Sequence, residues 1–135
     1  MEIKYIFLNS TDLLETDSSL SMGWFVIDGN TLFENTKCMV AIALTDLAEG
    51  MQYLTRHKSG GFSWIPADSG ETVLFRRSGN KISFQYKAKK IETEFDLFYR
   101  SVYDSVNTLA AELLHFRDEV ATESAYVDLT NILKN

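Results

Sequence analysis

The sequence TVLFRRSGNKISFQYKAKK, residues 72–90, contains the clearest secondary-structure pattern in the chain. From Lys81 to Tyr86, polar and apolar side chains alternate, which is the period of a β-strand with one buried face. Ser78-Gly79-Asn80, just before this run, is made of residues that favour turns. The stretch therefore predicts an antiparallel hairpin of two strands, Thr72–Arg77 and Lys81–Tyr86.

Strand patterns also occur on both sides of this hairpin. Met22–Asp28 is rich in aromatic and β-branched residues. Asp28-Gly29-Asn30 supplies a turn, after which Thr31–Glu34 is predicted to return as a hairpin partner. Asn9–Leu20 is rich in serine, threonine and aspartate and is predicted to be a loop. Three further runs are predicted to be strands: residues 2–8, Phe62–Pro66 and Lys90–Thr93.

Two long segments show the spacing of amphipathic helices. Between residues 39 and 56 the apolar side chains recur at positions 40, 43, 44, 47, 51 and 54, which predicts one helix. Asn35 and Thr36 precede it and are predicted to cap it. Gly50 within it indicates either close packing or a weak point. Phe95–Phe116 is predicted to be the longest helix, and the apolar residues between 126 and 133 predict a short closing helix.

These elements predict one α+β domain spanning residues 1–135. A length of 135 residues is sufficient for a single hydrophobic core. We expect an antiparallel sheet of about five to six strands with two principal helices packed on one face. The tail after about residue 117 is expected to be peripheral.

Charge is sorted along the chain into three blocks. Residues 1–71 carry ten carboxylates and four cations, and residues 91–135 carry nine carboxylates and three cations. Residues 72–90, which we call the basic meander, carry six cations and no carboxylate. The net charge of −6 favours a basic protein partner over general nucleic-acid binding. The cations of the basic meander are Arg76, Arg77, Lys81, Lys87, Lys89 and Lys90.

Candidate catalytic groups are few. His57 lies at a predicted helix end, where it can act as a capping cation, and His115 lies among apolar residues near the end of the long helix. Neither histidine belongs to a spacing that places two ligands on one metal ion. Cys38 lies in an apolar segment that is typical of a buried thiol. We therefore predict no enzyme activity, no cofactor and no metal site.

The cysteine count and the hydropathy pattern bear on the compartment. A single cysteine cannot form an internal disulfide, which fits a reducing compartment. The apolar run at the N-terminus is too short for a signal peptide, and no run of about 18 apolar residues occurs. The sequence thus predicts a cytoplasmic protein that does not span a membrane.

The basic meander also supports an alternative function. Its six cations alternate with Phe75, Phe84 and Tyr86, as in sheets that stack single-stranded bases on aromatic rings. This pattern predicts a nucleic-acid-binding module that uses Arg76, Arg77, Lys81, Lys87, Lys89 and Lys90. However, alternation turns the rings toward the helices, and a solvated sheet with lysines on its edges is the favoured explanation of the cations.

Several stretches together resemble the small bacterial immunity-type proteins encoded beside secreted polymorphic or contact-dependent toxins. The resemblance covers roughly residues 22–116. It rests on these segments: GWFVIDGNTLF (23–33), VAIALTDLAEGM (40–51), FSW (62–64), ETVLF (71–75), ISF (82–84) and FYRSV (98–102).

This resemblance implies a protein that binds a toxin domain and occludes its active site. A toxin that cleaves nucleic acid has a cationic cleft, so an acidic inhibitor gains association rate and specificity against it. An adaptor or self-assembly domain is a third alternative. From their predicted exposure on loops and edges, six carboxylates are expected to contact the toxin: Asp12, Glu15, Asp17, Asp28, Asp68 and Glu71.

Overall fold

Eight β-strands form two four-stranded antiparallel sheets in the computed structural model, which describes residues 2–7, 21–66, 69–116 and 118–134. In the first sheet, β2 (Met22–Ile27) pairs with each of the other strands, which are β1 (Ile3–Phe7), β3 (Asn30–Leu32) and β4 (Cys38–Met39). The second sheet consists, in spatial order, of β5 (Gly61–Trp64), β6 (Val73–Ser78), β7 (Lys81–Tyr86) and β8 (Lys89–Glu94).

Two-residue turns join consecutive strands in both sheets. Asp28 and Gly29 connect β2 to β3 with φ angles of 50° and 83°, a left-handed conformation that these residue types tolerate. Gly79-Asn80 connects β6 to β7, and Lys87-Ala88 connects β7 to β8. The hairpins predicted around residues 28–30 and 78–80 are therefore confirmed.

Three α-helices accompany the sheets, and their predicted positions are confirmed. They are α1 (Val40–Thr55), α2 (Phe95–Phe116) and α3 (Ser124–Lys134), with a short 3₁₀ helix at Asp118–Thr122. The helix α3 buries three apolar side chains against α1 and α2. In the described part of the chain, no helix combines the length and apolar character needed to cross a lipid bilayer.

The predicted N-terminal cap of α1 is wrong. The residue that precedes the helix is Met39, whose side chain makes no capping hydrogen bond. Asn35 and Thr36 lie farther upstream because β4 occupies Cys38–Met39 between them and the helix. The chain therefore enters α1 directly from a strand.

The α+β class with antiparallel strands is confirmed, but the strands divide between two sheets instead of forming one sheet of five or six. The physical reason is the position of α1. The chain leaves the first sheet at β4, runs through α1 and enters the second sheet at β5. Among the described residues, no strand of one sheet pairs with a strand of the other.

One hydrophobic core joins the two sheets, and Trp64 lies at its centre. Its indole ring contacts Phe25 of β2 and Phe33 after β3 edge-on, with centroid distances of 5.3 and 5.2 Å. It also lies 6.2 Å from the ring of Phe75 in β6. The indole Nε1–H donates a 2.8 Å hydrogen bond to the Ala43 carbonyl of α1. Both sheets and α1 therefore contribute to the same packed interior.

The glycine within α1 marks close packing. A Cβ atom added at Gly50 would lie 2.2 Å from a ring carbon of Phe62. Phe62 of β5 in turn stacks on Phe75, with a centroid distance of 4.9 Å. Of the two readings that the sequence leaves open for Gly50, the structure thus supports close approach of the helix to the second sheet.

Candidate functional site

A cleft of about 490 Å³ lies between the edge of the first sheet and the β7–β8 hairpin of the second. Its walls come from β3 and the turn after it on one side, and from β7, β8 and their connecting turn on the other. A concavity of this size accommodates a small molecule or the tip of a partner's loop. We call it the inter-sheet cleft; its lining residues are Gly29–Leu32, Glu34, Asn35, Phe84, Tyr86–Lys89 and Ile91.

Tyr86 fixes the two walls of the inter-sheet cleft against each other. Its hydroxyl accepts a 3.1 Å hydrogen bond from the Phe33 backbone N–H and donates a short one to the Glu71 carboxylate. The rings of Phe33 and Tyr86 also meet edge-on at 5.4 Å. Burial raises the pKa of Tyr86, and the bond to Glu71 raises it further. The phenol is thus a positioned donor rather than a base.

Three non-glycine residues around this cleft have positive φ angles: Asp28 at 50°, Phe33 at 68° and Lys87 at 55°. This conformation costs an L-amino acid roughly 1–2 kcal/mol, and it is most unusual for a bulky side chain such as phenylalanine. Strained residues that the surrounding fold holds in place often cluster at binding sites. The strained residues around the inter-sheet cleft make it a candidate binding site.

Two of the six carboxylates predicted to contact a partner border the inter-sheet cleft. Asp28 is exposed and precedes Gly29 of the lining, and Glu71 is half-buried and accepts the hydrogen bond from Tyr86. The exposed Glu34 adds a third carboxylate, which the sequence did not single out. The other four predicted contacts, Asp12, Glu15, Asp17 and Asp68, lie outside the described residues.

Arg77 belongs to the interior, so the prediction that it contributes to a nucleic-acid-binding surface is wrong. Its side chain is only 8% exposed. The guanidinium donates hydrogen bonds to the carbonyls of Leu54 (Nη1, 2.6 Å) and Gly79 (Nε, 2.8 Å). It also lies 3.7 Å from the ring centroid of Phe95. Arg77 thus binds the C-terminal end of α1 to the second sheet.

The remaining cations of the basic meander do not form one surface. Lys87 and Lys89 lie at the inter-sheet cleft, where Lys89 Nζ is 3.4 Å from Asn30 Oδ1. The other three lie on the face of the second sheet that points away from the helices. Two exposed carboxylates share that face, and Lys81 stands directly opposite one of them. The outer face of the second sheet therefore carries charges of both signs instead of a uniform positive charge. Its charged residues are Arg76, Lys81, Lys90, Glu92 and Glu94.

A cluster of like charges lies on the helical side of the molecule, where α1 and α3 meet. The pKa of Asp46 is raised by partial burial and further by the nearby carboxylates of Glu49 and Asp128. Tyr53 follows on the same side of α1, is 47% exposed and stacks on His57 at 4.0 Å. Positions 46, 49 and 53 have helical spacing, which is the signal that could have revealed this α1–α3 acidic face.

Cys38 and His57, two of the candidate catalytic groups, lie in the core and at the end of α1 respectively. Burial raises the pKa of the Cys38 thiol to about 12, so this group is a neutral, buried thiol. The Nδ1 atom of His57 is 2.9 Å from the Tyr53 carbonyl at the end of α1. Within the described ranges, no group of three or more histidine, cysteine, aspartate or glutamate side chains is arranged to hold a metal ion.

Comparison of the chain with protein-family models, curated proteins and solved structures finds no match. The inter-sheet cleft and the α1–α3 acidic face are therefore interpreted from their own chemistry.

Proposed function

We propose that this protein is a non-catalytic protein-binding module that acts as an immunity protein, binding and occluding a cognate toxin domain in the cytoplasm. The observation that carries the proposal is the α1–α3 acidic face. Partial burial raises the pKa of Asp46, and repulsion from the nearby carboxylates of Glu49 and Asp128 raises it further. A cationic partner surface relieves that repulsion on binding, whereas solvent and salt only screen it.

Exposed apolar side chains close in sequence to these carboxylates support the proposal. Tyr53 presents a large exposed ring beside the carboxylates, and Val127, next to Asp128 in α3, is 39% exposed. Aromatic anchors within a charged rim are typical of the centres of protein–protein contacts. The basic active-site cleft of a nuclease toxin has the complementary charge.

The inter-sheet cleft offers a second contact of the same kind. Asp28, Glu34 and Glu71 border it, so a lysine or arginine from a partner's loop can reach a carboxylate there. Asp12, Glu15, Asp17 and Asp68 remain predicted contacts in this proposal.

Nucleic-acid binding by the basic meander is less favoured. Arg77 is committed to the interior, and Glu92 and Glu94 share the outer sheet face with the remaining cations. A phosphate backbone would approach those carboxylates as closely as it approaches Arg76 or Lys90, which removes much of the electrostatic gain.

The proposal is tested by toxicity and rescue. Each open reading frame adjacent to the gene is expressed alone and together with this protein, and growth of the host cells is measured. We expect one adjacent product to stop growth alone, to be harmless in the presence of this protein, and to bind it with a one-to-one stoichiometry in titration calorimetry. If no adjacent product is both toxic alone and bound by this protein, the proposal is wrong.

The contribution of the acidic face is measured on the same complex. The variant Asp46→Asn/Glu49→Gln/Asp128→Asn should associate about three- to tenfold more slowly at low salt and approach the wild-type rate at high salt. The control variant Asp96→Asn/Asp104→Asn/Glu119→Gln makes the same change in net charge elsewhere. If both variants associate equally slowly, net charge and not the acidic face explains the effect.

A further inference from the structure

The strand β8 has a free edge. It pairs with β7 along one side and with no described strand along the other. Lys90, Glu92 and Glu94 are exposed, whereas Ile91 and Thr93 are partly buried. The charged side chains project from the outer face of the sheet, and the other two project from the face that the helices cover.

The register of the β7–β8 hairpin shows which backbone groups are unpaired. Tyr86 and Lys89 flank a two-residue turn and so form a hydrogen-bonded pair. Hydrogen-bonded and non-hydrogen-bonded pairs then alternate along the ladder. The 2.8 Å bond from the Phe95 N–H to the Asn80 carbonyl fits this alternation. It follows that the N–H and C=O groups of Lys90, Glu92 and Glu94 point away from β7.

We propose that β8 pairs with β8 of a second copy of this chain, antiparallel and centred on Ile91, to form a symmetric dimer. In this register Lys90 of each copy stands opposite Glu92 of the other. Both residues have their unpaired N–H and C=O groups on the joining edge, so each such pair exchanges two backbone hydrogen bonds. Ile91 faces its own counterpart across the twofold axis, where side chains approach most closely. The two second sheets then form one continuous eight-stranded sheet.

Charge complementarity selects this register from its neighbours. Centring the pairing on Glu92 places Glu92 opposite itself, and centring it on Lys90 places Lys90 opposite itself. Centring it on Thr93 places Glu92 opposite Glu94. Of these four registers, only the one centred on Ile91 forms two Lys90–Glu92 pairs and places no like charges opposite each other.

The same charges discourage other partners. Lysine and glutamate on an edge strand ordinarily prevent pairing with unrelated strands, because an unmatched partner would place like charges opposite or leave charges next to apolar groups. In β8 the alternation makes a second copy of the chain the matched partner. The contact is small, so the dimer is expected to be weak and to depend on concentration.

The test uses sedimentation velocity on the free protein, so its outcome does not depend on the proposed toxin. From about 5 µM to about 500 µM the wild type should shift from monomer to dimer, the range suited to a small interface. Lys90→Glu or Glu92→Lys creates two like-charge pairs per dimer and should weaken self-association at least about tenfold. An equimolar mixture of these two variants restores opposite charges at both positions and should form a heterodimer.

Two further variants complete the test. The double variant Lys90→Glu/Glu92→Lys exchanges the charges and should dimerise like the wild type, which separates pairing from any effect on folding. Glu119→Lys has the same change in net charge as Glu92→Lys at an exposed site on the 3₁₀ helix and should leave self-association unchanged. A wild type that stays monomeric throughout, a mixture that fails to associate, or equal disruption by Glu119→Lys would each overturn the proposal.

Discussion

Replacing Arg77 by methionine tests the interior role of this cation. The substitution removes two hydrogen bonds from a charged donor to the Leu54 and Gly79 carbonyls, at 2.6 and 2.8 Å. Each such bond contributes about 1.5–3 kcal/mol. It also removes the contact of the guanidinium with the Phe95 ring at 3.7 Å, which contributes about 0.5–2 kcal/mol. Methionine keeps most of the apolar volume, so little of the loss comes from a cavity.

An opposing effect reduces this sum. The wild-type guanidinium is buried beside carbonyl groups, and no carboxylate lies within ion-pair distance among the described residues, so removing the charge regains part of its desolvation cost. We therefore expect Arg77→Met to lower the free energy of unfolding by about 3 kcal/mol. Arg76→Met, at the exposed neighbouring position, should change it by less than about 0.5 kcal/mol.

Urea unfolding followed by tryptophan fluorescence measures both variants under identical conditions. The two substitutions are chemically the same and differ only in the face of β6 to which the side chain belongs. If Arg77→Met unfolds within about 0.5 kcal/mol of the wild type, the interior role assigned to Arg77 is wrong. If instead the expected loss is found, tests of nucleic-acid binding must use Arg76 and Lys90, because replacing Arg77 would confound binding with unfolding.

Three other predictions concern stability and are measured by the same unfolding assay. Gly23→Ala should lower the free energy of unfolding by at least about 2 kcal/mol, because the added Cβ would lie 1.9 Å from the Ile6 carbonyl oxygen and 2.9 Å from Val40 Cγ2. A smaller loss would mean that β1 can move away from β2. Lys87→Gly should stabilise the protein by about 0.5–1 kcal/mol, because φ is 55° there; destabilisation would show that the lysine side chain makes compensating contacts. Asp46→Asn should raise stability at pH 7 by less than about 1 kcal/mol. Since the folded-state pKa of Asp46 is raised, ionisation of Asp46 destabilises the fold as the pH rises through that pKa, so the gain should vanish below about pH 4.

The hairpins were predictable because their signals are local. In Lys81–Tyr86 the alternation of side chains and the turn residues before it both specify the same strand, and no distant contact is needed to read them. The helices were predictable for the same reason. The burial of Arg77 could also have been predicted from the alternation in β6. Arg77 lies on the same face of the strand as Val73 and Phe75, which are buried. The charge of Arg77 suggested an exposed side chain, whereas its place in the alternation correctly indicates a buried one.

Features that depend on distant contacts were not predictable. The division into two sheets depends on which strands meet after α1, and periodicity does not determine this. The inter-sheet cleft joins Phe33 to Tyr86 across a separation of 53 residues, so neither segment alone indicates it. The repulsion at Asp46 involves Asp128 of α3, which reaches it only through helix packing. Asp28 and Glu71 were proposed as contacts from expected exposure alone, and their common position at the cleft arises from the fold.

The central position of Trp64 couples the unfolding of the two sheets. Its ring contacts aromatic side chains from both sheets, and its indole proton is held by α1. Detaching either sheet would leave this large side chain without half of its neighbours and its N–H without an acceptor. Detachment of one sheet therefore destabilises the other, and the two sheets should melt in one transition. A partner that occupies the inter-sheet cleft and contacts Tyr86, which is bonded to the Phe33 backbone and packs on the Phe33 ring, would thereby stabilise the whole chain and not only the sheet that it contacts.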